Sequence, residues 1–177
     1  QWGMTLGGPI IKNKLFFFVN YENTNKTYPN LNGYRQSGSR VNPDEADDVM
    51  QKIKDMAQRQ GLSYDGTFAN PDIYTKSNKF GAKIDWNIND FNKFSFRWSY
   101  VDAKQLNVVS SASSLNDDHY YFPFTSKTNS FTAELQSRLS PVVSNEARVS
   151  YVRVRDKRNV SSAFPMISLQ VTGGSVN

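Results

Sequence analysis

Hydrophobic and polar residues alternate along several stretches of the chain, and these stretches come in pairs separated by a short turn. The clearest pair is NKFGAKIDWNIND at 78–90 and NKFSFRWSYVDAK at 92–104. Apolar side chains recur there at every second residue: Phe80, Ala82, Ile84, Trp86 and Ile88, then Phe94, Phe96, Trp98 and Tyr100. Because a period of two is typical of β-strands, the pattern predicts a hairpin with one strongly aromatic face.

Two further hairpins show the same pattern. Their strands are WGMTLGGPII and LFFFVNYEN in the first, and NSFTAELQSRL and NEARVSYVRVRDKR in the second. In the first hairpin Phe17 points away from Phe16 and Phe18, since side chains alternate between faces, so both faces of that strand need apolar surroundings. We predict the three hairpins at about 2–23, 76–104 and 128–157.

The connections between the hairpins are long and polar. They cover about 24–72 and 105–127, and 158–177 has the same character. Short turns and long connections therefore alternate, as they do in outer-membrane barrels, where periplasmic turns are short and extracellular loops are long. Strands of about 10 to 13 residues also suit a tilted membrane crossing. The predicted fold class is all-β, an antiparallel transmembrane β-barrel segment.

One long connection contains a helix signal at about 43–60. Asn42 is a suitable N-cap, Pro43 the first helical residue, Glu45 a capping-box partner, and Gly61 a terminator. The apolar stripe consists of Ala46, Val49, Met50, Ile53, Met56 and Ala57. We expect a short helix folded over its own loop; a helix that docks a partner is the alternative.

Composition favours a membrane barrel over a packed soluble domain. Only 38% of residues are hydrophobic and the mean hydropathy is −0.61, yet 14% are aromatic. An outer-membrane barrel needs only one apolar face per strand and carries aromatic girdles. There is no apolar run of about 18 residues, no cysteine, and no recognisable signal segment or closing pattern, so we expect a piece of a longer protein. The net charge of +5 indicates an ordinary basic surface, and no nucleic-acid motif accompanies it.

Three segments resemble one family. TLGGPIIKNKLFFFVNYE is similar to the first barrel hairpin of TonB-dependent outer-membrane receptors, in the Oar-like branch common in Bacteroidetes. KIDWNINDFNKFSFRWSY resembles the second hairpin of that branch. NEARVSYVRVRDKR, followed by FPMISL at 164–169, resembles its next signature, and the three segments occur in the expected order.

The resemblance implies a plugged barrel of about 22 strands, of which this chain would hold about six. It also implies nutrient import across the Gram-negative outer membrane, with energy transmitted by TonB. No plug and no TonB box can be identified in the sequence. The implied partners are outer-membrane lipid and lipopolysaccharide, the plug and remaining strands of the same protein, TonB indirectly, and a surface lipoprotein or other subunits.

The sequence offers little for catalysis. The single histidine, His119, follows Asp117 and Asp118, and three adjacent side chains in an extended loop cannot converge on one metal ion. No nucleophile motif or phosphate-binding glycine loop is recognisable. We therefore expect no enzyme activity, no cofactor and no metal.

Two segments are candidate binding sites. The basic run Arg153, Arg155, Lys157 and Arg158 lies at the predicted extracellular end of a strand, where guanidinium groups can bind lipopolysaccharide phosphates. The loop aromatics Tyr120, Tyr121, Phe122 and Phe124 can stack on a sugar or a peptide, or pack over the loop helix instead.

Two other functions stay open at this point. The aromatic faces could form the core of a soluble β-sandwich that binds a carbohydrate or a peptide. The same barrel could instead act as an adhesion or scaffold protein of the outer membrane.

Overall fold

The computed structural model describes residues 1–160 and 167–177. Its elements are β1 (Trp2–Ile11), β2 (Leu15–Tyr28), α1 (Pro43–Arg59), β3 (Ile73–Asn89), β4 (Asn92–Asn107), β5 (Ser114–Leu115), a 3-10 turn (Asp118–Tyr120), β6 (Phe122–Ser140), β7 (Val143–Arg158), β8 (Leu169–Val171) and β9 (Gly174–Val176). Among the described residues, no helix combines the length and the apolar character needed to cross a bilayer.

Six strands form one antiparallel sheet in the order β1-β2-β3-β4-β6-β7. The three predicted hairpins are its consecutive pairs, so the predicted fold class is confirmed. β1 has the expected length with 10 residues, whereas the other five strands contain 14 to 19, because their backbone pairing continues into the polar residues beyond the apolar band. Asn13 adopts a φ of 60° in the first turn, a left-handed conformation that asparagine tolerates well.

The register of β1 and β2 explains the three consecutive phenylalanines. Phe17 pairs with Gly8, and Phe18 pairs with Gly7 on the opposite face. Each of these rings therefore has a residue without a side chain across from it. Phe18 is 43% exposed, on the same parity as the polar residues Asn20 and Glu22.

The apolar face of the sheet carries a row of aromatic rings that crosses four strands. The ring centroids of Phe80 and Trp98 lie 5.2 Å apart, those of Trp98 and Phe131 6.4 Å, and those of Phe131 and Tyr151 6.4 Å. This aromatic row is exposed at its edges, with Tyr151 59% accessible. A sandwich would bury such a face against a second sheet, so the sandwich alternative does not fit this sheet.

The chain forms two compact units. The sheet unit consists of residues 1–26, 75–104 and 125–157, and the loop unit of residues 27–74, 105–124 and 158–177. The loop unit contains α1 and a three-stranded sheet in the order β5-β9-β8. Its buried cluster is Val41, Ala46, Leu115 and Val176, with Tyr34, Val49, Phe68 and Val171 packed against it.

Helix α1 packs against more than its own loop, which is all that the sequence predicted for it. Leu115 comes from the second long connection and Val176 from the last segment, and both pack in the same cluster as Ala46 of α1. The strands that supply them contain only two or three residues. So short a segment cannot show a period of two, and the sequence pattern did not reveal them.

Helix α1 begins and ends where predicted, within one residue. The side chain of Asn42 accepts hydrogen bonds from the backbone N–H groups of Asp44 and Glu45. The predicted capping box is only partly formed, because Glu45 Oε2 accepts instead from the backbone N–H of Thr172, at 2.7 Å. The stripe is buried at four of its six positions, whereas Met56 is 48% exposed.

Candidate functional site

Hydrogen bonds join two segments of the loop unit, residues 27–74 and 105–124. The backbone N–H of Arg40 donates to the carbonyl of Ala112 at 2.7 Å. The N–H and the hydroxyl of Thr67 both donate to the carboxylate of Asp118, each at 2.9 Å. Each bond links residues far apart in sequence, so the long connections form one ordered structure and any ligand surface on it is composite.

The candidate loop aromatics divide into a buried and a partly exposed set. Tyr121 is only 6% exposed, and the carbonyl oxygens of Ala69 and Asn116 share its single O–H donor, at 3.2 and 3.1 Å from the hydroxyl oxygen. Burial is also the main reason that the pKa of Tyr121 is raised. Its side chain therefore supports the fold of the loop unit through residues outside α1, and packing of these aromatics over the loop helix stays a prediction.

Tyr120, Phe122 and Phe124 remain half-buried. The hydroxyl of Tyr120 is buried without a hydrogen-bond partner within the described ranges, and burial raises the pKa of this phenol. Phe122 lies under the guanidinium of Arg158, 5.5 Å from its ring centroid. These three side chains remain the candidate ligand contacts of the segment.

His119 lies in an acidic environment. Its Nε2 is 3.0 Å from Asp65 Oδ1, its Nδ1 is 4.0 Å from Asp117 Oδ2, and its ring packs edge-on against Tyr64. Burial raises the pKa of Asp117, and the nearby His119 opposes that rise. Among the described residues, no three histidine, cysteine, aspartate or glutamate side chains are grouped closely enough to hold a metal ion.

A charged network stabilises the start of α1. Arg35 has a φ of 54°, and its guanidinium contacts Asp44 at 2.9 Å and Asp47 at 3.3 Å. Tyr34 donates to Asp47 at 2.6 Å, and this hydrogen bond is the main reason that the pKa of Tyr34 is raised. Since the ring of Tyr34 also stacks on Phe68, the network connects α1 to the core of the loop unit.

The candidate lipopolysaccharide contacts lie on the edge strand β7, where every residue is exposed. Arg153, Arg155 and Lys157 share the face of Tyr151, which belongs to the aromatic row. Arg158 has the opposite parity and contacts Phe122. The structure thus places three of the four basic residues on one face. Of the signature FPMISL, Phe164 to Met166 lie outside the described residues, and Leu169 begins β8.

The face of the sheet opposite the aromatic row, here called the inner face, is rich in paired charges. Lys79 lies 2.6 Å from Glu22, and Lys83 lies 2.7 Å from Asp85. On the neighbouring strands, the guanidinium of Arg148 contacts the carboxylates of Glu134 at 2.9 Å and Glu146 at 2.8 Å. None of these residues is among the predicted sites, although they alternate with the apolar residues of their strands. Their shared parity was the available signal.

Comparison with known proteins supports the architecture. The chain matches the family model described as outer membrane beta barrel domain, over residues 1–36 and 23–174. The matched ranges include strands of the main sheet and elements of the loop unit. Searches among curated proteins and among solved structures gave no match.

Proposed function

This chain belongs to the outer membrane β-barrel domain family, and we propose that it forms part of a TonB-dependent transporter that imports a nutrient. Family membership places it in the outer membrane of a Gram-negative bacterium. The proposal goes further and specifies a plugged barrel of about 22 strands, as the three resembling sequence segments imply. We expect binding and passage of the ligand without chemical conversion.

The observation that carries the proposal is the ordered loop unit. A barrel that acts only as a pore needs little more than strands and turns, whereas here three segments between and after the hairpins share a buried cluster. Binding sites in proteins are often built on loops that a rigid scaffold positions. Tyr120, Phe122 and Phe124 would supply aromatic surface for the ligand.

The sheet supports a larger barrel because it has two free edges. Within residues 1–160 and 167–177, β1 and β7 each have a neighbouring strand on one side only. In a bilayer an unpaired edge leaves backbone groups without hydrogen-bond partners, and closed outer-membrane barrels have at least eight strands. The remaining strands of the same protein would close the barrel and its plug would fill the lumen. TonB would act on the plug.

A strain that lacks the gene for this protein tests the import proposal. We expect slower growth when one scarce nutrient limits growth, and the same defect when TonB is deleted instead. In a strain that lacks both this gene and TonB, restoring the wild-type gene alone should not rescue growth. Uptake that is unchanged in both deletions, with loss of surface attachment, would favour the adhesion or scaffold function.

Lipopolysaccharide is the proposed partner of the basic end of β7. Replacing Arg153, Arg155, Lys157 and Arg158 together by glutamine should reduce lipopolysaccharide binding to the purified full-length protein, because the phosphate contacts are lost. A control that removes two positive charges outside β7 replaces Lys52 and Lys54 of α1 by glutamine. Equal retention of lipopolysaccharide by the quadruple variant and the control would contradict the proposal.

A further inference from the structure

One cation of the inner face differs from its neighbours. Lys79, Lys83 and Arg148 each have a carboxylate within 2.9 Å. Arg97, on β4 between them, is exposed and has no ion-pair or hydrogen-bond partner in the described part of the chain. Its positive charge is therefore uncompensated on this face.

Arg97 lies where two depressions of the inner face meet. Phe18, Asn20 and Lys79 line one depression, of about 580 Å³, and Ser95, Thr132 and Ser150 line the other, of about 390 Å³. Both Arg97 and Lys83 line the two depressions. A molecule held in either one would meet the guanidinium group.

The side chains around Arg97 are suited to an anion. A guanidinium group has five N–H donors and no acceptor, and its geometry matches a carboxylate or a phosphate in a bidentate manner. The hydroxyls of Thr132 and Ser150 lie 3.1 Å apart and each keeps hydrogen-bonding capacity. Glu134, the carboxylate in the smaller depression, already accepts from Arg148 at 3.0 Å.

We infer that the inner face holds an anion-binding site centred on Arg97, which takes the carboxylate or phosphate group of a solute inside the barrel. Lys83 and the hydroxyls of Ser95, Thr132 and Ser150 complete it. The inference rests on membership of the barrel family, whose inner face is polar and wet. It does not depend on TonB.

Calorimetric titration of the full-length protein in detergent micelles tests the site. The probes are succinate for the carboxylate arm, inorganic phosphate for the phosphate arm, and glycerol as the uncharged control. We expect the wild type to bind at least one anion and not glycerol. Arg97→Gln should weaken that binding by about tenfold or more, and Arg97→Lys by less, because a lysine keeps the charge but not the bidentate geometry. Arg59→Gln, an exposed arginine in the last turn of α1, is the matched control and should change affinity by less than about twofold.

Two results would overturn the site. One is equal anion affinity in the wild type and in Arg97→Gln. The other is that the wild type binds neither anion. If Arg97→Gln in addition does not reach the heat-resistant folded form on electrophoresis, the guanidinium of Arg97 pairs with an acidic side chain elsewhere in the protein instead of with a solute. Neither result bears on TonB-dependent growth, so the two proposals fail separately.

Discussion

At the scale of single residues, glycines that follow elements of the loop unit differ in how replaceable they are. Gly61 follows α1 and Gly173 lies between β8 and β9, and both have a positive φ, of 71° and 87°. A Cβ on Gly61 would meet open space, whereas a Cβ on Gly173 would overlap the backbone oxygen of Arg40. Because both glycines have the same kind of backbone conformation but different surroundings, comparing substitutions at the two positions separates the cost of backbone strain from the cost of steric overlap.

We predict that Gly173→Ala destabilises the loop unit far more than Gly61→Ala. The strain of a positive φ alone costs about 1–2 kcal/mol, and the overlap with backbone at Gly173 adds to it. Hydrogen exchange of the full-length protein should show faster exchange at Asn42 and Ser175 in Gly173→Ala, because their N–H groups bond across this region. Equal effects of the two substitutions would contradict the overlap.

A second prediction concerns Asp117, which is 2% exposed. Burial raises the pKa of this carboxyl above its ordinary value of 3.8, so the folded state binds a proton more tightly than the unfolded state. Stability should therefore fall as the pH rises from 3.8 through the raised pKa, and should stay lower above it.

Asp117→Asn removes this cost and keeps the oxygen that accepts from the backbone N–H of His119 at 3.0 Å. We expect the variant to resist denaturant better than the wild type at pH near 7, and the difference to vanish at pH below 3.8. The stability difference between the variant and the wild type is measured by hydrogen exchange of the loop unit at increasing denaturant concentration, at both pH values. A less stable variant at neutral pH would mean that the attraction between Asp117 and His119 outweighs burial.

At the scale of elements, the strands assign their two faces to different environments. β7 carries Val149 and Tyr151 on the face of the aromatic row, and Arg148 and Ser150 on the inner face, where Ser150 contacts Thr132. In the closed barrel, Val149 and Tyr151 therefore face lipid, and Arg148 and Ser150 face the lumen.

Substitutions at two neighbouring positions test this assignment. Val149→Arg should destabilise the folded barrel by about 2–4 kcal/mol if Val149 lies near the middle of the bilayer, whereas Ser150→Arg, facing the lumen, should cost much less. Urea titration of the full-length protein folded into lipid vesicles gives both values. A larger cost for Ser150→Arg would reverse the faces of the sheet.

At the scale of the whole molecule, the sheet has exposed apolar side chains and open strand edges, which are unfavourable for an isolated monomer in water. Leu6 and Val149 are 64% and 73% exposed on its apolar face, and no further described strand pairs with its two edges. Exposed apolar surface and open edges drive association of chains in water. Both features disappear in a complete barrel inside a membrane.

We therefore predict that the isolated 177-residue chain associates in water. Circular dichroism with size-exclusion chromatography should detect aggregates in buffer, and folded monomeric β-structure only with the remainder of the barrel in detergent. A sharp, reversible thermal transition of a monomer in water would contradict the barrel assignment.

The sequence by itself determined the main sheet, because a period of two over ten or more residues is a strong signal and is set by the alternation of side chains. Asn42 and Gly61 likewise marked the ends of α1 through local backbone chemistry. Only the tertiary structure decided how the connections pack: Leu115 and Val176 are far from Ala46 of α1 in the chain, and the strands that carry Leu115 and Val176 are too short to leave a pattern. It also decided that Arg148 pairs with Glu134 of the neighbouring strand β6, whereas no strand in the described part of the chain places a carboxylate in contact with Arg97.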